Sequence, residues 1–469
     1  MSKHSQTRPN ILWLMTDEQR ADSLRYTGTP WAHTPNLDRV ALSGTRFTAA
    51  YTPSPVCVSA RACMLTGRYG SSIGVLNNHH WLNIDDPQFL TWIFAANGYQ
   101  VASFGKHHYN CPRRAFDLEY NHVLGDRVHY VEYKVPVDAQ EADIVRYDGG
   151  KTPWLFAGRF PGTVDDTPEM HNVTEALDWV QRRDPLHPWF LRLSFNAPHT
   201  PVVTPVPFDT LIKAEAIDLP VDWSQDMTFV STTHQDYLCD YAGTHRLTGA
   251  QIRRARQCYY GTVACVDHIF GKLLDALDGM GELENTLIAF VADHGTHLGD
   301  HGFFQKQSFW DASARVPFFF AGPGIREQSV NWPVNVGSLL PTLLDLAGLV
   351  VPPQAQFSTL SATLQHGIIP QAKPVFSEID YGLWHYRPGE RYVMIRDGRY
   401  KLTLYRDPRS TDRFAGSEDR VLFDLEADPQ ETRNLAQETA YAVVIDELVD
   451  KIDSWDRDRP IVVPGLVEK

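Results

Sequence analysis

Asp17 and Glu18, Cys57 and Arg61, Lys106 with His107 and His108, His199, Asp293 and His294, and Lys306 are the residues of this chain whose types carry chemistry. Carboxylates and imidazoles hold divalent cations, imidazoles and amines move protons, and fixed cations steady developing negative charge. A cysteine is a nucleophile, a metal ligand or a small core residue, and its type does not say which. Taken singly, each has an ordinary structural explanation: aspartate after a strand makes turns and helix caps, and a lone lysine is solvated surface. Their shared position argues otherwise. Asp17 follows the apolar run NILWLM, Lys106 follows YQVASF, His199 follows WFLRLSF and Asp293 follows TLIAFVA.

Those runs, with VPFFFAG, are almost continuously apolar, as strands buried on both faces of a parallel sheet are. Helical patterns lie between them. In GTVACVDHIFGKLLDALDGMG, Val263, Val266, Phe270, Leu273, Leu274 and Leu277 recur at helical spacing. SLLPTLLDLAGL predicts another helix, ending at a glycine cap. The expected fold is α/β: a large mixed, mostly parallel sheet sandwiched by helices. In such sheets ligands bind at the carboxyl ends of the strands, where these clusters fall. After about Pro370 the pattern changes. RYVMIRDGRYKLTLYR predicts a hairpin with an Asp-Gly turn, and AYAVVIDELVDKIDSW a terminal helix. The expected division is a catalytic domain over 1–370 and a smaller α+β C-terminal domain over 371–469 with a short antiparallel sheet.

A net charge of −14, with 43% hydrophobic and 21% charged residues, gives no basic footprint for nucleic acid. Six cysteines in 469 residues are no disulfide framework. The opening MSKHSQTRPN is polar, and no apolar run is long enough to span a membrane. The expectation is a cytoplasmic protein with neither nucleic-acid nor membrane partners.

Six stretches carry a resemblance. RPNILWLMTDEQRAD, PVCVSARACMLTGRYGSSIGV, GYQVASFGKHH, NAPHTP, ADHGTHLGDHGFFQKQSFWDASARVPFFFAGPG and LFDLEADPQETRNLA run in this order from residue 8 to about 437. Together they resemble the type I sulfatases of the alkaline phosphatase superfamily. In that family the cysteine of a Cys-x-Pro-Ser-Arg motif is oxidised to formylglycine. One hydroxyl of the hydrated aldehyde attacks sulfur, and the other lets sulfate leave by elimination. The resemblance implies that Cys57 is the precursor of this nucleophile and that Arg61 holds it. It also implies that Asp17, Glu18, Asp293 and His294, with the modified Cys57, bind one divalent cation. An oxygen-rich set suits Ca2+ first, with Mg2+ or Mn2+ as alternatives, and His294 keeps Mn2+ open. Lys106, His108, His199 and Lys306 match the family's sulfate-binding and acid/base residues. His199 or Lys306 would protonate the leaving alcohol, and His108 would take the proton from the second hydroxyl.

The expected activity is that of an aryl or alkyl sulfatase on a small-molecule sulfate ester. The expected partners are a formylglycine-generating maturase and further copies of the chain, as a dimer or tetramer. Three departures from the family pattern stand out. Ser59 replaces the usual proline, which belongs to the recognition motif of the aerobic maturase, and Ala60 replaces a frequent serine. Glu18 stands where relatives carry Asp or Gln, and His107 where many carry Trp. Two other readings remain: a phosphonate monoester or phosphodiester hydrolase, and a metal-dependent oxyanion binder that keeps Cys57 as a thiol. Phosphonate-cleaving relatives tend to carry Tyr and Thr where this chain has Lys106 and His108. His297 and His301 suggest a second metal, but the further ligands of such sites have no matching motif. Asn78, His79, His80 and Trp81, together with Trp31, Tyr109, Trp310, Trp384 and His385, are candidate pocket-lining residues.

Overall fold

The structure is a computed structural model, and it describes residues 8–82, 88–109, 145–147, 154–220, 247–371, 373–380, 391–406 and 420–466. Among these the apolar runs form strands β1 (Asn10–Thr16), β3 (Gln100–Gly105), β4 (Trp189–Ser194), β5 (Thr286–Ala292) and β6 (Phe318–Ala321). With β2 (Thr45–Phe47) and β7 (Gln328–Val330) they make a seven-stranded sheet in the order β7-β2-β6-β5-β1-β4-β3. β1 pairs in parallel with β5 and β4, and β4 with β3. β6 runs antiparallel to both its neighbours. Burial on both faces makes a strand apolar throughout, whichever way it runs. VPFFFAG therefore reads like the parallel strands although its direction is reversed.

Side chains of a strand alternate between faces, and β1 shows what each face meets. Ile11, Trp13 and Met15 pack against Val58, Ala62 and Leu65 of helix α2 (Cys57–Thr66), Phe94 of α3 (Leu90–Ala96) and Leu343 of α6 (Leu339–Leu346). Leu12 and Leu14 pack against Leu37 of α1 (Pro35–Leu42), Val173 of α4 (Pro168–Arg182) and Phe270 of α5 (Gly249–Gly279). The result is three layers, helix, sheet, helix. α5 begins earlier than its apolar periodicity, at a capping box in which Thr248 and Gln251 satisfy each other's backbone N–H.

Toward the C-terminus, β8 (Val375–Ile379), β9 (Arg391–Asp397), β10 (Tyr400–Arg406) and β11 (Arg420–Asp424) form an antiparallel sheet in sequence order. The β9–β10 register pairs Asp397 with Tyr400, so Gly398, with φ of 54°, and Arg399 make the hairpin turn. Ile445, Leu448 and Ile452 of α7 (Ala442–Arg457) pack with Val393, Leu402 and Leu422 of this sheet, and also with Cys63 of α2 and Tyr69. The smaller sheet thus backs the helix that starts at Cys57. Among the described residues no helix is long and apolar enough to cross a membrane. Trp384 and His385 lie outside the described residues.

Candidate active site

The clusters do converge at the strand ends. Asp17 follows β1 directly, and Asp293 follows β5, the strand paired beside it. Cys57 is the first residue of α2, where unpaired backbone N–H groups favour an anion. One of those groups, the Val58 N–H, is taken by Asn78 Oδ1 at 3.0 Å. Asn78 therefore fixes the entry of the helix. Arg61 lies one turn further on, on the same face as Cys57. α2 stops at Gly67, whose φ of 66° suits the left-handed cap that glycine adopts without strain, which accounts for the glycine of LTGR.

Arg61 is wholly buried and ties the strand ends together. Its Nε donates to Asp293 Oδ2 at 2.6 Å and its Nη2 to Asp17 Oδ2 at 2.8 Å. Its Nη1 donates to the Lys106 carbonyl at 2.8 Å and to Ser194 Oγ at 3.0 Å. Lys106 Nζ lies 2.5 Å from Asp17 Oδ2. Burial works against ionising Asp17, but Lys106, His199 and Arg61 outweigh it and hold its carboxyl well below the usual range. Burial, helped by Asp17 itself, leaves Asp293 raised despite Arg61. Two buried carboxylates this close repel unless a cation lies between them.

Cys57 Sγ meets the other groups. His294 Nε2 is 3.1 Å away, Lys306 Nζ 3.3 Å and Asp17 Oδ1 3.8 Å. Burial and Asp17 push the thiol up, yet Lys306, Lys106 and His294 bring it below its ordinary value. His294 Nδ1 is 2.9 Å from the Gly295 carbonyl, so Nδ1 donates there and Nε2 is turned to the cysteine. Burial opposes its protonation, but Asp293 and Cys57 raise it to about 9. Lys306 Nζ also donates to Glu18 Oε2 at 3.1 Å and lies 2.6 Å from His199 Nε2. Burial disfavours its charge, but Cys57, Glu18 and Asp17 hold its pKa well above the ordinary value. Burial, with Lys306 and Lys106, keeps His199 well below its own, so it is neutral. Its Nδ1 faces the Thr200 carbonyl, leaving the Nε2 lone pair for the lysine.

The donor chemistry fits a divalent cation. Asp17, Cys57, Asp293 and His294 offer ligand atoms within 4.8 Å of one another, all buried; Asp17, Glu18 and His199 form a second such group. Glu18 stands apart from the first four. Its φ is 63°, its N–H donates to Asp293 Oδ1 at 3.1 Å, and its carboxylate accepts from Thr296 Oγ1 and Lys306. His108 stands two residues past Lys106 with φ of 53°, partly exposed. The bonds described above run among the other nine predicted residues.

Several expectations are corrected. Tyr109 and Trp310 are core residues, 2% and 4% exposed. Trp310 packs on His297 and His301. His297 is engaged by Ser308 Oγ at 2.6 Å. His80 is buried, with Nδ1 accepting from the Leu76 N–H. Ser59 Oγ donates to the Val75 carbonyl at 2.7 Å, a bond that the family's proline could not make. The sequence reading missed Arg192 and Ser194 on β4. Arg192 donates to the same Lys106 carbonyl as Arg61, at 3.0 Å, and lies over Trp13. A charge inside the apolar run WFLRLSF was its signal.

A cysteine at a helix start, beside two carboxylates, an imidazole and lysines in an α/β frame, is an arrangement that can hold a divalent cation and take an anionic ester. The sequence profile described as Sulfatase matches residues 9–349, and one described as N-sulphoglucosamine sulphohydrolase, C-terminal, matches residues 299–458. The chain belongs to the sulfatase family, within the alkaline phosphatase superfamily. Its reaction is the hydrolysis of sulfate esters. It is 28% identical to an arylsulfatase of Clostridium perfringens, across 94% of this chain and 93% of that one. It is 29% identical to a choline-sulfatase of Rhizobium meliloti, across 92% and 83%. In fold it is similar to the phosphonate monoester hydrolase of Agrobacterium radiobacter, with a TM-score of 0.79, 24% identity and 96% of each chain covered. It is similar also to a protein solved with its substrate D-glucosamine-2-N,6-O-disulfate, with a TM-score of 0.74, 21% identity and coverage of 96% and 98%.

Proposed function

We propose that this sulfatase acts on a small aryl or alkyl sulfate, with Cys57 converted to formylglycine and one divalent cation held by Asp17, Asp293, His294 and the modified Cys57. The observation that carries this is the meeting of two carboxylates, an imidazole and a lysine at Cys57 Sγ. Glu18 completes the set through Asp17 and His199. The oxygen-rich donors favour Ca2+, with Mg2+ an alternative, and the His294 imidazole keeps Mn2+ open. When bound, the cation supplies positive charge to a sulfate oxygen and lowers the pKa of the adjoining hydroxyl. Formylglycine supplies that hydroxyl.

The remaining work falls to the chain's own side chains. Arg61 and Lys106 fix Asp17 and add positive charge where the sulfate oxygens gather it. Lys306 holds a proton beside Cys57, shared with the His199 lone pair, within reach of a leaving oxygen. His108 is the base for the elimination step by its place after Lys106. We further propose a cytoplasmic homo-oligomer whose domains divide near residue 370, matured by an enzyme that accepts Ser59.

The test is the mass of the tryptic peptide 47–61 alongside turnover of an aryl sulfate. Formylglycine makes the peptide about 18 mass units lighter than the cysteine form. A light peptide with turnover lost in Lys106→Ala supports the reading. A cysteine peptide from an enzyme of full activity overturns the formylglycine. Faster turnover of a phosphonate monoester than of any sulfate ester would overturn the substrate class.

A further inference from the structure

Lys306 sits in a backbone that does not hold itself in place. Gln305 and Gln307, on either side of it, both have φ of 72°, and His301 has φ of 55°. Side chains other than glycine's crowd their own carbonyl in that region. Such strain persists only where the surroundings over-determine the conformation.

The surroundings centre on one carboxylate. Asp300 Oδ2 accepts from Arg20 Nη1 at 2.7 Å and from the Leu298 N–H at 3.1 Å. Arg256 Nη2 lies 3.2 and 3.1 Å from its two oxygens. Arg20 belongs to the turn that carries Asp17 and Glu18, and Arg256 to α5. Each arginine also grips the loop backbone: Arg20 Nη1 donates to the Thr296 carbonyl at 3.0 Å, and Arg256 Nε to the Leu298 carbonyl at 2.9 Å. Asp300 thus joins the Glu18 turn, the long helix and the Lys306 loop. The far end of this frame is the Glu18 carboxylate, which takes Thr296 Oγ1 on one oxygen and Lys306 Nζ on the other.

We infer that Asp300, clamped between Arg20 and Arg256, is a positioning residue that sets the Lys306 ammonium against Cys57 and Glu18. This rests on the reading of Lys306 as a catalytic group. Asp300→Asn keeps the shape and loses the charge that pairs with Arg256 and, beside Asp22, with Arg20. Lysine at 256 keeps the charge and loses the fork.

The experiment uses metal-saturated enzyme and an aryl sulfate, with kcat and KM measured separately. Asp300→Asn and Arg256→Lys are each made alone and together with Lys306→Ala, and thermal unfolding is followed for all. The expected result is a kcat lowered about tenfold or more by each single change, with KM within about threefold, and less than about twofold further loss in the Lys306→Ala background. Equal losses in both backgrounds, or no loss in either, overturn the inference. If Asp300→Asn does not fold, Arg256→Lys carries the same comparison. If Lys306→Ala itself keeps full activity, the reading of Lys306 fails first, and that outcome is distinct.

Discussion

Two buried charge clusters sit at the two ends of α2's neighbourhood, and they are built from different kinds of group. At the joint with the smaller sheet, Glu378 lies 2.8 Å from Arg391 Nε in an ion pair and accepts from the Ser71 N–H at 2.8 Å. Arg459 lies 2.9 Å from Asp456 and stacks 3.3 Å over Trp455. Every cation in this cluster is an arginine, which never gives up its proton. At the active centre the cations are Lys106, Lys306 and Arg61, joined by His199, His294 and a thiol. Burial and ion pairing are common to both places. What separates them is that the groups around Cys57 can change protonation or bind a metal, while those around Glu378 only hold chain to chain.

The comparison can be broken most sharply at Cys57. Cys57→Ala is expected to lower kcat/KM for an aryl sulfate by about 10³-fold or more, with little change in Tm. Retained turnover would make the centre another structural knot. A chelator is expected to lower activity by about 10²-fold or more, and a titration with Ca2+, Mn2+ and Mg2+ to restore it, whereas Tm, which the Glu378 ion pairs support, should hardly move. Lys306→Ala is expected to lower kcat by about 10²-fold, more for poor leaving groups than for 4-nitrophenol, as an acid's removal should. Arg391→Ala should do the reverse. Stability falls by about 1–3 kcal/mol in a denaturant titration, because the buried Glu378 loses one of its two arginines and keeps only Arg459, while turnover per folded molecule holds.

The smallest effect is in acid. Burial alone would raise Glu378, but Arg459 and Arg391 hold its carboxyl below the usual value. A depressed carboxyl stabilises the fold above its unfolded pKa of about 4.3, and that contribution is lost as the pH falls through the folded value. The slope of unfolding free energy against pH below about 4 should therefore be shallower in Glu378→Gln.

The sequence showed the centre better than the joint, for a physical reason. Asp17, Lys106, His199 and Asp293 each follow an apolar run, so local pattern places them at strand ends. Cys57 carries its partner Arg61 one helical turn away, which spacing also reveals. Arg192 and Ser194 act through contacts with residues far along the chain, and nothing next to them in sequence announces those partners. Tyr109 and Trp310 were misplaced because an aromatic ring looks the same in sequence whether it lines a pocket or fills the core. The reversed direction of β6 was hidden for a similar reason, since a fully buried strand is apolar either way.

α2 has one more consequence. All ten of its residues are buried, Cys57 among them at 1% exposure. An enzyme that converts this cysteine needs the backbone around it in its own cleft, and the finished molecule presents none of it. On the proposed conversion of Cys57 to formylglycine, maturation and folding would compete in time during biosynthesis. A chain that closes first stays a thiol, so the fraction of active protein would be decided by which event comes first while the polypeptide is being made.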